Sequence, residues 1–303
     1  MFAAVLVLSV LASVDARADV GVVITRAALG AADRQSLEKA VATERAAHPA
    51  AFRAVEDVRA SVKGLDESKR GRLAAVGPRL KALGRDALLP MLALLALEAA
   101  REDAVPSARR ALRVGLLEAV GALRDPRAEA VLVAAAKADH ADAHVAAAAA
   151  RALGRLGSTS SVATLKALGA GDAGHRLAAA AGLGECRRAA SVAVLRALST
   201  DAVDDVRLAA VRGLGAVGNA QAWKTSGMVR TEEAATRQAA AQALVALFVA
   251  GDEPARRLSA EGILLVDDPG TPALIEAAKA GADEKTVTAL TALTERFAKN
   301  PTR

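Results

Sequence analysis

A short unit repeated at a fixed spacing constrains this chain more than any other feature. Three copies read HVAAAAARALGRLG (144–157), GHRLAAAAGLGECR (174–187) and DVRLAAVRGLGAVG (205–218), at steps of 30 and 31 residues. A looser fourth copy begins at Thr236. A fixed period of this size is typical of a solenoid, in which each unit buries its apolar face only against its neighbours.

The composition indicates that the repeated units are helical. Apolar residues make up 53% of the chain, but aromatic residues make up only 2%, so the core must consist of Ala, Leu and Val. Ala and Leu favour helix, and no long run alternates with the period of two that a strand requires. The sequence therefore predicts an all-α, right-handed α-solenoid of stacked antiparallel helix pairs with a repeat of about 30 residues.

Each copy carries signals for the two ends of its first helix. A glycine follows the last Leu of the apolar pattern, and a left-handed glycine commonly stops a helix. We therefore expect Gly154, Gly184 and Gly215 to end the first helices. An aspartate precedes each of them, and the predicted N-caps are Asp142, Asp172 and Asp204.

Four segments follow from these patterns. Residues 1–18 combine an apolar run of 13 residues with the small-x-small sequence Ala16-Arg17-Ala18, which predicts a signal peptide although no Lys or Arg precedes the run. Residues 19–65 are expected to form a helical N-terminal cap, 66–250 the repeat array, and 251–303 C-terminal helices. Cleavage after 18 would place the chain in the periplasm or outside the cell, with no membrane span in the mature chain; without cleavage it would be cytoplasmic.

The repeats resemble the short bacterial HEAT-like repeat known from relatives of the phycobilin lyases. The resemblance rests on DDVRLAAVRGLG (204–215) and, more weakly, on AGHRLAAAAGLG (173–184) and ADAHVAAAAARALG (141–154). It implies that Arg176, Arg207 and Arg237 pair with cap aspartates of their own or the next unit. It also implies a bilin lyase as one activity of such arrays, although no residue specifically supports that activity.

The histidines are the weak candidates for a metal site. His140 and His144 are four residues apart, which is a metal-ligand spacing on one helix, and His175 lies one unit further on. Asp142 between them predicts a loop and a cap instead, so no metal is expected. The His-Glu pairs of the HEAT-like hydroxylases are absent, because every His is followed by Pro, Ala, Val or Arg.

The sequence contains no catalytic constellation and no cofactor motif. No phosphate-binding loop, G-x-S-x-G sequence or Ser/His/Asp order is found. The single cysteine, Cys186, is expected to be buried. Without Tyr and with one Trp, the chain offers almost nothing on which a base could stack. No enzymatic activity and no cofactor are therefore predicted.

A few residues are weak candidates for partner binding. Arg151, Arg212 and Gln242 are equivalent in the aligned copies and are expected on the concave wall. Trp223 lies in an irregular stretch, where a buried plug is favoured over an exposed binding anchor. Arginines cluster at the turns, for example Arg109-Arg110-Arg113, and are expected to form a solvated face. Net charge is +6 without a Lys/Arg block, so nucleic acid is not an expected partner.

Together these features predict a monomeric, non-enzymatic scaffold that binds a protein partner on the curved surface of a HEAT-like solenoid. One alternative is a HEAT-type lyase or lyase-chaperone that acts on a modified protein. The other is a cytoplasmic nucleic-acid binder, which requires that residues 1–18 are not a signal peptide.

Overall fold

A computed structural model describes residues 21–69, 72–99, 105–225 and 230–300. Within these ranges the chain forms 16 α-helices and no β-strand. The predicted signal peptide, residues 1–18, lies outside the described residues. The helices are α1 (Ala31–Ala47), α2 (Pro49–Ser68), α3 (Val76–Ala82), α4 (Leu88–Ala96), α5 (Pro106–Leu123), α6 (Glu129–Lys137), α7 (Ala143–Leu156), α8 (Thr159–Leu168), α9 (Ala173–Cys186), α10 (Ala189–Leu198), α11 (Asp204–Gly218), α12 (Ala220–Trp223), α13 (Glu233–Ala250), α14 (Glu253–Val266), α15 (Thr271–Lys279) and α16 (Glu284–Ala298).

The predicted all-α fold class is confirmed for the described residues, which form short helices joined by tight turns. Helix boundaries follow local chemistry. Pro49 and Pro106 begin α2 and α5, where a proline loses no helical hydrogen bond. Among the described residues, no helix combines the length and the apolar character needed to cross a membrane.

The chain divides into two compact units, with the boundary between Ala152 and Leu153, inside α7. In the first unit α4 lies at the centre, and all nine of its residues are buried. It contacts α1, α2, α5 and α6. Burying a Leu side chain contributes about 1.5–3 kcal/mol, so the leucines of α4 supply much of this core.

In the second unit the helices form two layers. The first layer contains α9, α11 and α14, and α11 packs against both of the others. The second layer contains α8, α10, α13 and α15, in which α10 contacts α8 and α13, and α13 contacts α15. The prediction that a fourth copy of the first helix begins at Thr236 is therefore wrong. Thr236 lies on α13, and α13 occupies the second layer because α12 is too short to fill the second-layer position of its unit.

The expected helix stops at Gly154, Gly184 and Gly215 are also wrong. All three lie inside helices, which continue two or three residues further, to Leu156, Cys186 and Gly218. They allow neighbouring helices to approach closely instead. A Cβ at Gly154 would lie 2.1 Å from the Gly182 carbonyl oxygen, and a Cβ at Gly215 would lie 2.9 Å from the Gly262 Cα.

Two of the three expected caps have capping geometry. Asp172 accepts a hydrogen bond from the His175 amide at 2.9 Å, and Asp142 accepts one from the His144 amide at 3.0 Å. Asp204 is different, because Val203 is the N-cap and Asp204 is the first residue of α11. Its carboxylate accepts a hydrogen bond from Arg207 at 2.7 Å.

Candidate functional site

The polar side chains of the first unit converge on a cleft between α5 and the loop that joins α6 to α7. Its charged and imidazole-bearing residues are Arg110, Arg113, Asp139, His140, Asp142 and His144, and we call this set the first-unit cleft. The cleft has a volume of about 570 Å³. A smaller cavity of about 320 Å³ adjoins it and shares Arg110 and His144. Both volumes lie in the range of small-molecule sites.

Helical spacing brings the two arginines together. Arg110 and Arg113 are three residues apart on α5, so their side chains emerge on one face of the helix. The acidic and imidazole groups come from residues 139–144, where α6 has ended and α7 begins. A loop and a helix start thus face a rigid helix across the cleft.

Arg113 is the least neutralised cation of the cleft. Its side chain is half-buried, and its Nε donates a hydrogen bond to the Val22 carbonyl at 2.6 Å. No carboxylate of the described residues pairs with it within 4.0 Å. Its two terminal guanidinium nitrogens form no hydrogen bond with a described residue and are not fully buried, so they reach solvent. Burial, together with the charge of Arg109, lowers the pKa of Arg113, yet an arginine remains charged at neutral pH.

Arg110, in contrast, is paired with a carboxylate. Its guanidinium Nε is hydrogen-bonded to Asp142 Oδ2. Burial acts to raise the pKa of Asp142, but the hydrogen bonds from Arg110 and from the His144 amide outweigh it and lower that pKa. Asp142 is therefore a carboxylate at neutral pH, and its charge is balanced by Arg110.

His140 has a defined tautomer. Its Nε2 lies 2.7 Å from the Ala135 carbonyl oxygen. A carbonyl only accepts hydrogen bonds, so Nε2 carries the proton and Nδ1 of the neutral ring keeps its lone pair. Burial lowers the pKa of His140 more than the hydrogen bond to Ala135 raises it. The ring is therefore neutral at pH 7.

The three histidines considered as metal ligands occupy different settings. His140 lies in the loop before α7 and His144 on α7, and both line the cleft. His175 belongs to the second unit, where its Nδ1 lies 2.9 Å from Oδ1 of its own cap residue, Asp172. Across residues 21–69, 72–99, 105–225 and 230–300, no three or more His, Cys, Asp or Glu side chains are grouped to hold a metal ion.

The arginines of the repeat make structural contacts in the second unit. Arg176 pairs with Asp201 at 2.7 Å, and Arg207 bridges Asp204 and Asp252, each at 2.7 Å. Arg237 instead donates to the Val266 and Asp267 carbonyls and pairs with Glu233 at 3.3 Å. The difference follows from the position of Arg237 on α13, in the second layer.

The residues expected to bind a partner do not share one position. Arg212 and Gln242 are exposed and Arg151 is half-buried, but Gln242 lies on α13, in the second layer, and is not equivalent to Arg212 on α11. Trp223 is fully buried, and its Nε1 donates to the Val217 carbonyl at 3.0 Å. Its weak assignment as a partner-binding residue is corrected accordingly, since the side chain offers no surface.

Arg113 and Arg110 were assigned to a solvated face and were missed as site residues. One signal was present in the sequence. Arg113 lies between Leu112 and Val114, in a stretch of α5 where most neighbouring residues are buried, whereas Arg109 is exposed. A charge set among apolar residues indicates a cleft or a buried pair more than a solvated face.

No family model matches this chain, and no curated protein matches it. Among solved structures, human deoxyhypusine hydroxylase in complex with glycerol is similar, with a TM-score of 0.34 and 16% sequence identity. The alignment covers 82% of this chain and 98% of that one.

The prediction of a non-enzymatic interaction scaffold is corrected. Of the residues expected to bind a partner, Trp223 is buried, and Gln242 lies in another layer than Arg212. The polar groups of the first unit gather in a cleft instead.

Proposed function

We propose that this protein is a HEAT-type lyase or lyase-chaperone that holds an anionic group of a modified protein in the first-unit cleft. The observation that carries the proposal is Arg113, a half-buried guanidinium that lines the cleft without a carboxylate partner among the described residues. A charged donor in that state gains a charge-assisted hydrogen bond when a carboxylate or phosphate enters.

The remaining charges of the cleft are compatible with an anion. Asp142 is paired with Arg110, so its charge is compensated locally. Asp139 is exposed, where water and salt screen its charge. The neutral His140 and the charged Arg113 therefore dominate the less exposed part of the cleft.

The modified protein is the partner in this proposal, and the group that enters the cleft is its modification. The resemblance of the repeats to phycobilin-lyase relatives points to a linear tetrapyrrole, which carries carboxylates. An extracytoplasmic location remains a proposal of its own, which rests on the sequence of residues 1–18.

The test is equilibrium binding of biliverdin, a linear tetrapyrrole with two carboxylates, to the full chain by calorimetry. We expect Arg113→Gln to weaken binding about 10-fold or more, because a hydrogen bond to a charged group contributes roughly 1.5–3 kcal/mol. Arg109→Gln is the matched control, since it removes the same charge from an exposed position of α5.

Equal losses in the two variants would mean that only the general positive charge of the surface matters, and would refute the proposal. Absence of binding to the wild-type chain would also refute it for this ligand class. Release or transfer of the chromophore by substoichiometric amounts of the chain would distinguish a lyase from a lyase-chaperone.

A further inference from the structure

The first-unit cleft contains a hydrogen-bond acceptor that the proposed function does not use. His140 Nε2 is committed as a donor to the Ala135 carbonyl at 2.7 Å. The ring therefore presents an unprotonated Nδ1, and no described residue forms a hydrogen bond with it. Nδ1 is not fully buried, so solvent reaches it, and a ligand can do the same.

The acceptor and the unpaired cation line the same cleft. Arg113 offers terminal N–H donors and a positive charge, and His140 offers a lone pair. The two groups are close enough for the charge of Arg113 to disfavour protonation of His140. The pattern is thus one charged donor beside one neutral acceptor.

We propose that the anionic group held in this cleft carries a hydrogen-bond donor of its own, which His140 Nδ1 accepts while Arg113 holds the negative charge. This inference rests on the proposed function and specifies its ligand. The chemical class is an oxyanion with an attached proton, such as a hydrogen phosphate, or a carboxylate beside a hydroxyl or N–H group. An oxyanion without a donor leaves Nδ1 without a hydrogen bond to the ligand.

The chemistry of the pattern predicts discrimination between two anions of the same shape. Phosphate at neutral pH carries at least one P–O–H group, whereas sulfate carries none. Both can accept hydrogen bonds from Arg113, but only phosphate can donate to Nδ1. A site that hydrogen-bonds a donor of the ligand rejects the analogue that lacks it.

The experiment measures binding of inorganic phosphate and of sulfate to the full chain at pH 7 and equal ionic strength. We expect phosphate to bind on the order of 10-fold more tightly than sulfate, as one hydrogen bond in a half-buried site implies. His140→Phe keeps the ring and removes both nitrogens, so it should reduce phosphate binding to the level of sulfate. His48→Phe makes the same change at an exposed histidine outside the cleft and should retain the preference for phosphate.

Equal binding of phosphate and sulfate by the wild-type chain would overturn this inference. This outcome is measured on the wild-type chain alone, so it does not depend on whether a variant folds. If that equal binding still depended on Arg113, the proposed anion site would stand. If neither anion bound, and biliverdin did not bind either, the proposed function itself would fail. Retention of the phosphate preference in His140→Phe would likewise overturn the role of His140.

Discussion

The glycine at the first helix contact of the second unit provides the most quantitative prediction. Gly154 lies on α7 and faces α9, where a Cβ would be 2.1 Å from the Gly182 carbonyl oxygen and 2.9 Å from its carbonyl carbon. These are backbone atoms of a packed helix, so they cannot turn aside as a flexible side chain does. Gly154→Ala therefore forces the two helices apart.

The expected cost follows from two opposing terms. Overpacking a well-packed contact costs typically 1–3 kcal/mol and occasionally more, and a contact this short with backbone belongs at the upper end. Alanine in a helix interior is favoured over glycine by about 1 kcal/mol. We therefore expect Gly154→Ala to lower the free energy of unfolding by about 2 kcal/mol.

Gly64 on α2 is the matched control, because a Cβ there meets nothing within 4 Å. Gly64→Ala should gain roughly 0.5–1 kcal/mol from helix propensity alone. The assay is urea denaturation followed by circular dichroism at the helical band. If Gly154→Ala were as stabilising as Gly64→Ala, the close approach of α7 and α9 would be refuted.

Three further predictions concern acid stability, thiol reactivity and the tryptophan. The hydrogen bond from the Ala255 amide, with Arg207 nearby, lowers the pKa of Asp252 below its ordinary value of 3.8, so its stabilising contribution is present above that pH and is lost as the pH falls through the lowered pKa. The melting temperature should therefore fall as the pH is lowered below 3.8, and it should fall less in Asp252→Asn. The control variant Asp205→Asn should behave like the wild type. Identical pH profiles for all three proteins would contradict the role of Asp252 as a helix cap. Burial raises the pKa of Cys186 to about 12, so a thiol reagent at pH 8 should label it slowly in the folded chain and rapidly in urea, and fast labelling without urea would disprove its burial. Trp223 is fully buried, so iodide should not quench its fluorescence, and efficient quenching would place the ring at the surface. Trp223→Phe should lower the free energy of unfolding by about 1–3 kcal/mol, because it leaves the Val217 carbonyl without its hydrogen-bond donor.

The sequence predicted the helical class because the repeat of Ala, Leu and Gly is periodic and local. Asp172 and Pro49 acted at helix starts as local rules predict. The meaning of the Leu-Gly pairs could not be predicted this way. Gly154 is required by a helix that lies about 30 residues further along the chain, and no local pattern distinguishes a helix stop from a close contact.

The candidate site was predictable only in part. His140, His144 and Asp142 stood out as a polar cluster, and the structure places all three on one cleft. Arg113 was not predicted, because its importance depends on what faces it: the Val22 carbonyl, 91 residues away, and the loop at 139–142. The position of α13 was likewise set by packing, since the short α12 contains no repeat signal.

The measurement that tests the central claim most directly is a titration of the full chain with phosphate, followed by NMR of the arginine Nε–H groups. The account predicts a saturable shift of the Arg113 resonance, accompanied by His140 ring signals, with little change at Arg109. Shifts of similar size at all exposed arginines, rising without saturation, would contradict it, because they would show screening of a charged surface in place of a site.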